Sequence, residues 1–108
     1  MNKKILVSYL STKFDTKKSF DDFVKNYKKY KSGYKHRLLI CYKLLEKKKI
    51  DIYRKKLKSL NHLEFIDFEK RNDYDFGSYY RIAKKYSNYN ILFLNGHSYP
   101  VKNNWLKK

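Results

Sequence analysis

The sequence of 108 residues contains few residues of several types. Its one cysteine, Cys41, excludes an intramolecular disulfide framework and a cysteine-based zinc cluster. A lone thiol in a lysine-rich chain is typical of a reducing compartment, so we expect a cytoplasmic location. With three glycines and one proline, the chain is neither a collagen-like repeat nor a flexible linker.

Long hydrophobic runs are also missing. The longest apolar runs have four to five residues, whereas a membrane-spanning helix needs roughly 20. Near the start of the chain, the apolar run Ile5-Leu6-Val7 ends at Ser8, short of the ~7–15 apolar residues of a secretory leader. We therefore expect neither a transmembrane segment nor a targeting segment.

Acidic residues are scarce, and the formal net charge is +17. Such a charge attracts polyanions, and nucleic acids are the first class of partner to consider. However, Lys outnumbers Arg by 23 to 4, and base readout in the major groove favours the bidentate Arg side chain. The lysines are also spread along the whole chain. The composition favours a solvated basic surface that attracts anionic ligands over a dedicated nucleic-acid site.

Hydrophobic residues make up 42% of the chain and aromatic residues 19%, enough for one globular domain over residues 1–108. Short apolar runs predict strands, and apolar residues at helical spacing predict helices. The predicted strands cover 4–10, 37–42, 63–68 and 90–95, and the predicted helices cover 19–30, 50–60 and 76–86. Strict β-α alternation predicts a three-layer α/β/α, Rossmann-like, mostly parallel sheet with right-handed crossovers.

Three details of the element boundaries follow from single residues. Ser19 is predicted to cap the first helix, and Gly33 to close it in a left-handed conformation. A polar loop is predicted over 71–75. Trp105-Leu106 is predicted to start a further helix.

In open parallel sheets the ligand binds at the carboxyl ends of the strands. Here these ends are residues 9–15, 42–46, 69–77 and 95–100. They contain no Gly-x-Gly-x-x-Gly, no P-loop and no His-Glu-x-x-His motif. Cys41 lies inside a predicted strand and reads as a small buried hydrophobic residue. His97, after the fourth strand, carries an imidazole that can donate or accept a hydrogen bond or ligate a metal. Spacing alone favours the simpler interpretation, in which Asn95-Gly96 is a turn and His97 has no role of its own.

The segment Asn95-Gly96-His97-Ser98 follows an apolar strand and precedes Pro100 and Trp105-Leu106. This pattern resembles the region around the Asp-x-Asp motif of GT-A-type glycosyltransferases. Residues 73–79 resemble the segment before the helix that leads into that strand. Residues 4–9 resemble the opening strand. The resemblance covers most of the chain, as the nucleotide-binding half of the family's domain.

The resemblance implies a protein that binds a nucleotide-sugar donor and serves sugar transfer to a glycan or lipid acceptor. It places the base near Tyr9 and Ser11, and the ribose or the base near Asp75, in the segment that includes Gly77. It places the diphosphate over Asn95 and His97, with Mn²⁺ or Mg²⁺ as cofactor and His97 as a ligand of that ion. Asn95 and His97 replace the two acids of Asp-x-Asp, so the resemblance also implies weaker metal binding.

No residue here matches the family's catalytic base, so we expect a truncated sheet. An exposed sheet edge would favour a homodimer. Two alternatives remain open at this stage. One is a small basic nucleic-acid-binding module that uses lysines and the tyrosines of 27–31 and 79–81. The other is a scaffold without chemistry.

Overall fold

Strands and helices alternate along the chain in the computed structural model, which describes residues 4–69 and 74–107. The elements are β1 (Lys4–Thr12), α1 (Lys17–Lys29), β2 (Arg37–Lys43), α2 (Lys47–Lys56), β3 (Leu63–Asp67), α3 (Tyr74–Lys85) and β4 (Tyr89–Leu94). Residues 71–73 of the predicted polar loop lie outside the described residues, and Asp75 belongs to α3 rather than to a loop.

One four-stranded sheet has the order β3-β2-β1-β4, and each neighbouring pair of strands is parallel. In chain order, β2 and β3 are added on one side of β1, and β4 then pairs with the other side of β1. Crossovers of one hand therefore require α3 to lie on the face opposite α1 and α2. The predicted α/β class with a parallel sheet is confirmed, and the arrangement is compatible with a Rossmann-like fold.

Two cores form because successive side chains of a strand point to opposite faces. On one face, Val7 and Tyr9 of β1 pack with residues of α1 and α2 such as Phe23 and Tyr53. On the other face, Leu6 and Leu10 pack with residues of α3 and β2, which include Ile82 and Cys41. Burying a large apolar side chain contributes roughly 1.5–3 kcal/mol. The central strand β1 is thus held from both sides.

The start of α1 differs from the prediction. Thr16 is the N-cap, and its Oγ1 accepts a hydrogen bond from the backbone N–H of Ser19 at 3.0 Å. Ser19, the predicted cap, therefore lies inside the first turn. An N-cap oxygen reaches the N–H two or three residues further on, and Thr16 holds that position because the helix begins at Lys17.

The predictions for Gly33 and Trp105 were also wrong in detail. α1 ends at Lys29, so Gly33 lies beyond the helix, although its φ of +78° is left-handed as expected. No helix starts at Trp105. The chain from 104 to 106 instead donates backbone hydrogen bonds to Lys31 and Ser32, because Gly33 leaves room for the backbone of Asn104.

The outer strands of the sheet are β3 and β4. On β4, Leu92 is partly exposed. The expected homodimer stays a prediction. Among the described residues, none of the helices is both long and apolar enough to cross a membrane.

Candidate functional site

The candidate site is a cavity of 340 Å³ at the carboxyl ends of the strands. It lies around the end of β1, and the chain order of the sheet reverses between β1 and β4. Ligands of open parallel sheets bind at such a reversal. The cavity is lined by Thr12, Phe14, Asp15, Lys43, Leu44, Asp75, Asn95, Gly96 and His97. All nine belong to the strand-end segments that the sequence identifies.

Asp15 joins the end of β1 to the turn after β4. Its Oδ2 accepts hydrogen bonds from the backbone N–H of Thr12 at 2.9 Å and from Thr12 Oγ1 at 3.0 Å. Its Oδ1 lies 3.3 Å from Nε2 of His97. Gly96 permits this arrangement, since a Cβ there would overlap the Asp15 carboxylate. The glycine of Asn95-Gly96-His97 is therefore required for close approach.

Asn95 shapes the turn that carries His97. Its Oδ1 accepts hydrogen bonds from the backbone N–H of His97 at 2.9 Å and from Ser98 Oγ at 3.0 Å. This is an Asx turn, in which the side chain of Asn substitutes for a backbone acceptor. The His97 side chain remains 69% exposed at the rim of the cavity. Asn95 thus positions His97, and its oxygen is engaged within the turn.

Lys43 and Asp75 bring opposite charges to the cavity. Lys43 is the last residue of β2 and only 2% exposed, and Leu44 after it turns the chain with a φ of +59°. Asp75 lies in the first turn of α3. Burial, and then the charge of Asp15, raise the pKa of Asp75, while the charges of Lys43 and His97 act in the opposite direction. The net effect is a carboxylate that is costly to ionise, which is typical of functional sites.

Of the predicted site residues, Asp75, Asn95 and His97 line one cavity. Tyr9 does not line it: the side chain is completely buried, and its hydroxyl donates to the carbonyl oxygen of Gly96 at 2.8 Å. Ser11 is 1% exposed. Its hydroxyl has no hydrogen-bond partner among the residues that the structure describes. Gly77 lies within α3 and does not line the cavity either.

Sequence reasoning assigned no role to Asp15, Lys43 or Phe14. Phe14 and Asp15 lie in the strand-end segment 9–15. Lys43 lies in the strand-end segment 42–46 and is also the last residue of β2. The signal available was a charged residue directly after an apolar run. What the sequence could not show is that Asp15 meets His97, because 82 positions separate them and only the pairing of β1 with β4 joins them.

A divalent cation does not fit these residues. Among residues 4–69 and 74–107, no three His, Cys, Asp or Glu side chains form a group that could hold a metal ion. Asp15 and His97 contact each other, which leaves the carboxylate and the imidazole paired rather than converging on a common point. Lys43 lines the same cavity, and its positive charge repels a cation.

Two other polar residues on the α3 side of the sheet serve the fold. Cys41 is buried, and burial, with a smaller effect of Asp67, raises the pKa of its thiol to about 12, so it is no nucleophile at neutral pH. Asp67, at the end of β3, accepts hydrogen bonds from Ser78 Oγ at 2.6 Å and from Arg81 Nη2 at 2.7 Å. These bonds fasten α3 to the sheet.

A second cavity, of 420 Å³, lies between the ends of β2 and β3. Apolar side chains such as Leu44, Leu45 and Ile50 form much of its lining, and Arg54, which also lines it, forms an ion pair with Glu64 at 2.6 Å. The first cavity has the greater number of convergent polar groups for its size, and it lies at the reversal point of the sheet. It is therefore the candidate site.

No family model, curated protein sequence or solved structure matches this chain. A functional assignment rests on the cavity and on the motif resemblance described above.

Proposed function

We propose that the chain is a glycosyltransferase-like domain of the GT-A type that binds a nucleotide-sugar donor in the cavity at the reversal point of the sheet. The transfer it serves would be to a glycan or lipid acceptor. The observation that carries the proposal is the convergence of Asp75, Lys43 and His97 in one cavity at the carboxyl ends of parallel strands. This location and this mixture of charges suit a ligand that has both phosphates and hydroxyl groups.

Each group at the cavity has a chemical counterpart on such a donor. Lys43 and His97 supply positive charge or hydrogen-bond donors to the diphosphate. The Asp75 carboxylate accepts hydrogen bonds from ribose hydroxyl groups. Phe14 is 60% exposed at the rim, where its ring can stack on a nucleobase. A cavity of 340 Å³ lies within the ~300–1,000 Å³ typical of ligand pockets.

The buried predicted residues support the same site from beneath. Tyr9 holds the carbonyl of Gly96, and the Tyr9 ring stacks on Phe23 of α1 with a centroid distance of 3.9 Å. The turn that carries His97 is therefore anchored in the core. A positioned binding group loses less conformational entropy when the ligand arrives.

Thermal unfolding with UDP-, GDP- and dTDP-sugars tests the proposal. A donor present at roughly 100 times its Kd adds about 2.7 kcal/mol to the free energy of unfolding, which is a readily measured shift in Tm. Asp75→Asn and His97→Ala should reduce the shift, whereas Glu46→Gln, an exposed site outside the cavity, should retain it. If none of these donors stabilises the protein, the proposal is wrong.

Tight oligonucleotide binding is the outcome that would favour the nucleic-acid alternative. Of the tyrosines in 27–31, Tyr27 packs on Phe23 and Trp105, and its hydroxyl lies 2.7 Å from Nε2 of His36. This ring belongs to the core rather than to a stacking surface. A nucleic-acid module would show affinity that falls steeply with the logarithm of salt concentration. We expect weak binding without sequence preference.

A further inference from the structure

The residues of the candidate site do not fit the divalent cation that the family resemblance implies. Resting on the function proposed above, we infer that the donor's diphosphate is neutralised by the side chain of Lys43, assisted by His97 at the rim, without a divalent cation. The ligand class is thus a nucleoside diphosphate or its sugar ester, recognised in its metal-free form.

The side-chain atoms that could bind a metal ion at this turn already have partners within the protein. At the position of the two motif acids, Asn95 Oδ1 already accepts from the His97 N–H and from Ser98 Oγ. Asp15 Oδ2 is engaged by Thr12 through two hydrogen bonds, and Asp15 Oδ1 faces His97. Mg²⁺ in nucleotide sites is held by one or two protein carboxylates together with waters and substrate phosphates. The side-chain oxygens of Asn95 and Asp15 are instead engaged in contacts within the protein.

Lys43 lies at the carboxyl end of β2, between β1 and β3. In the sheet register, Lys43 pairs with Thr12 of β1 on one side and with Asp67 of β3 on the other. Its side chain is therefore set in the middle of the strand-end edge, and it is 2% exposed. The attraction between opposite charges is stronger where protein excludes water than in bulk water. The buried Lys43 side chain therefore attracts a phosphate group more strongly than a lysine in open solvent does.

The charged side chains of the cavity affect a divalent ion and a diphosphate differently. The carboxylate of Asp15 is paired with His97, and Asp75 lies within electrostatic range of Lys43. A divalent ion would add two positive charges beside the Lys43 ammonium. A diphosphate brings negative charge to the same point. The charge of Lys43 therefore attracts the diphosphate and repels the divalent ion.

Isothermal titration of the purified chain with UDP and GDP, in EDTA and in millimolar manganese, tests the inference. We expect one of the two nucleotides to bind with a Kd in EDTA within about threefold of its Kd in manganese, a difference of less than about 0.7 kcal/mol. The same titration of Lys43→Met should raise the Kd at least about tenfold in both buffers. Lys58→Met, which removes one exposed lysine charge outside the cavity, should leave the Kd unchanged.

The outcomes separate the two proposals. Binding that appears only with manganese overturns the metal-free inference and leaves the proposed function standing. Equal binding by Lys43→Met and the unaltered chain overturns the role of Lys43. If neither nucleotide binds in either buffer, the proposed function fails, and the inference fails with it. The comparison of EDTA with manganese uses the unaltered chain, so it holds even if Lys43→Met does not fold.

Discussion

The hydroxyl group of Tyr9 donates a hydrogen bond to the carbonyl oxygen of Gly96, 2.8 Å away and 87 positions later in the chain. This bond joins the aromatic core under α1 to the turn that forms one wall of the candidate site. Because Tyr9 is fully buried, the bond is shielded from water. The geometry of the site therefore depends on the core.

Tyr9→Phe should lower the free energy of unfolding by about 1–3 kcal/mol, because it leaves the buried carbonyl of Gly96 without its donor. The phenyl ring keeps the stack on Phe23. Urea denaturation measures the change. Tyr80→Phe removes the hydroxyl of an exposed tyrosine and serves as the matched control. Equal losses in both variants would show that the hydrogen bond to Gly96 does not stabilise the fold.

Gly96→Ala should destabilise the chain by about 1–3 kcal/mol, since the added Cβ overlaps the Asp15 carboxylate. A double-mutant cycle with Asp15→Ala isolates this contact. The double variant should lose less stability than the sum of the single variants, because the Asp15 substitution removes the atoms that clash. If the losses of stability in the two single variants simply add up in the double variant, the cost of Gly96→Ala does not come from its contact with Asp15.

Asp75→Asn should raise the stability of the free protein at neutral pH and weaken donor binding. Burial and the charge of Asp15 raise the pKa of Asp75, so the folded state binds its proton more tightly than the unfolded chain does. Ionisation at neutral pH therefore opposes folding, and an uncharged amide removes that cost. Urea denaturation at neutral pH, with Glu46→Gln as the exposed control, measures the effect. A loss of stability in Asp75→Asn would contradict it.

The stability of the chain should fall in acid in a manner that depends on Asp67. Burial by itself raises the pKa of Asp67, but hydrogen bonds from Arg81 and Ser78 outweigh burial, and the pKa lies below its ordinary value. The stabilisation is complete above the unfolded pKa, near ~3.9, and is lost as the pH falls through the folded pKa.

Asp67→Asn should cost about 2–4 kcal/mol at neutral pH, because it breaks a nearly buried ion pair with Arg81. The difference from the unaltered chain should shrink as the pH falls through the folded pKa of Asp67, because the protonated carboxyl and the amide that replaces it are both uncharged. Urea denaturation across this pH range measures both curves. Parallel curves would mean that Asp67 does not titrate with folding.

Much of the fold could be predicted from local patterns. Apolar runs such as 38–42 and 91–94 are strands, and the strict alternation with helical spacing led to a parallel sheet. The errors lie at element ends. Thr16 and Ser19 are both good capping residues, and the choice between them depends on the turn that Asp15 makes with Thr12. Such a turn is set by contacts, and composition does not encode it.

The candidate site was predictable as a place and only in part as a set of residues. Asp75 and His97 were named from the family resemblance, within strand-end segments, and the cavity includes both. Tyr9 was named from the same resemblance, but it faces α1 because of the alternation along β1, and so it packs in the core. Lys43 was given no role from the sequence, yet it is buried at the end of β2 and lines the cavity.

The sequence by itself determined the types of element, their order and the four segments where a ligand could bind, because these depend on periodicity over a few residues. Only the tertiary structure decided that β1 lies between β2 and β4, and hence that Asp15 meets His97 while Lys43 closes the same cavity. The physical reason is that strand order and register arise from packing between residues far apart in the chain. Local pattern does not contain that information.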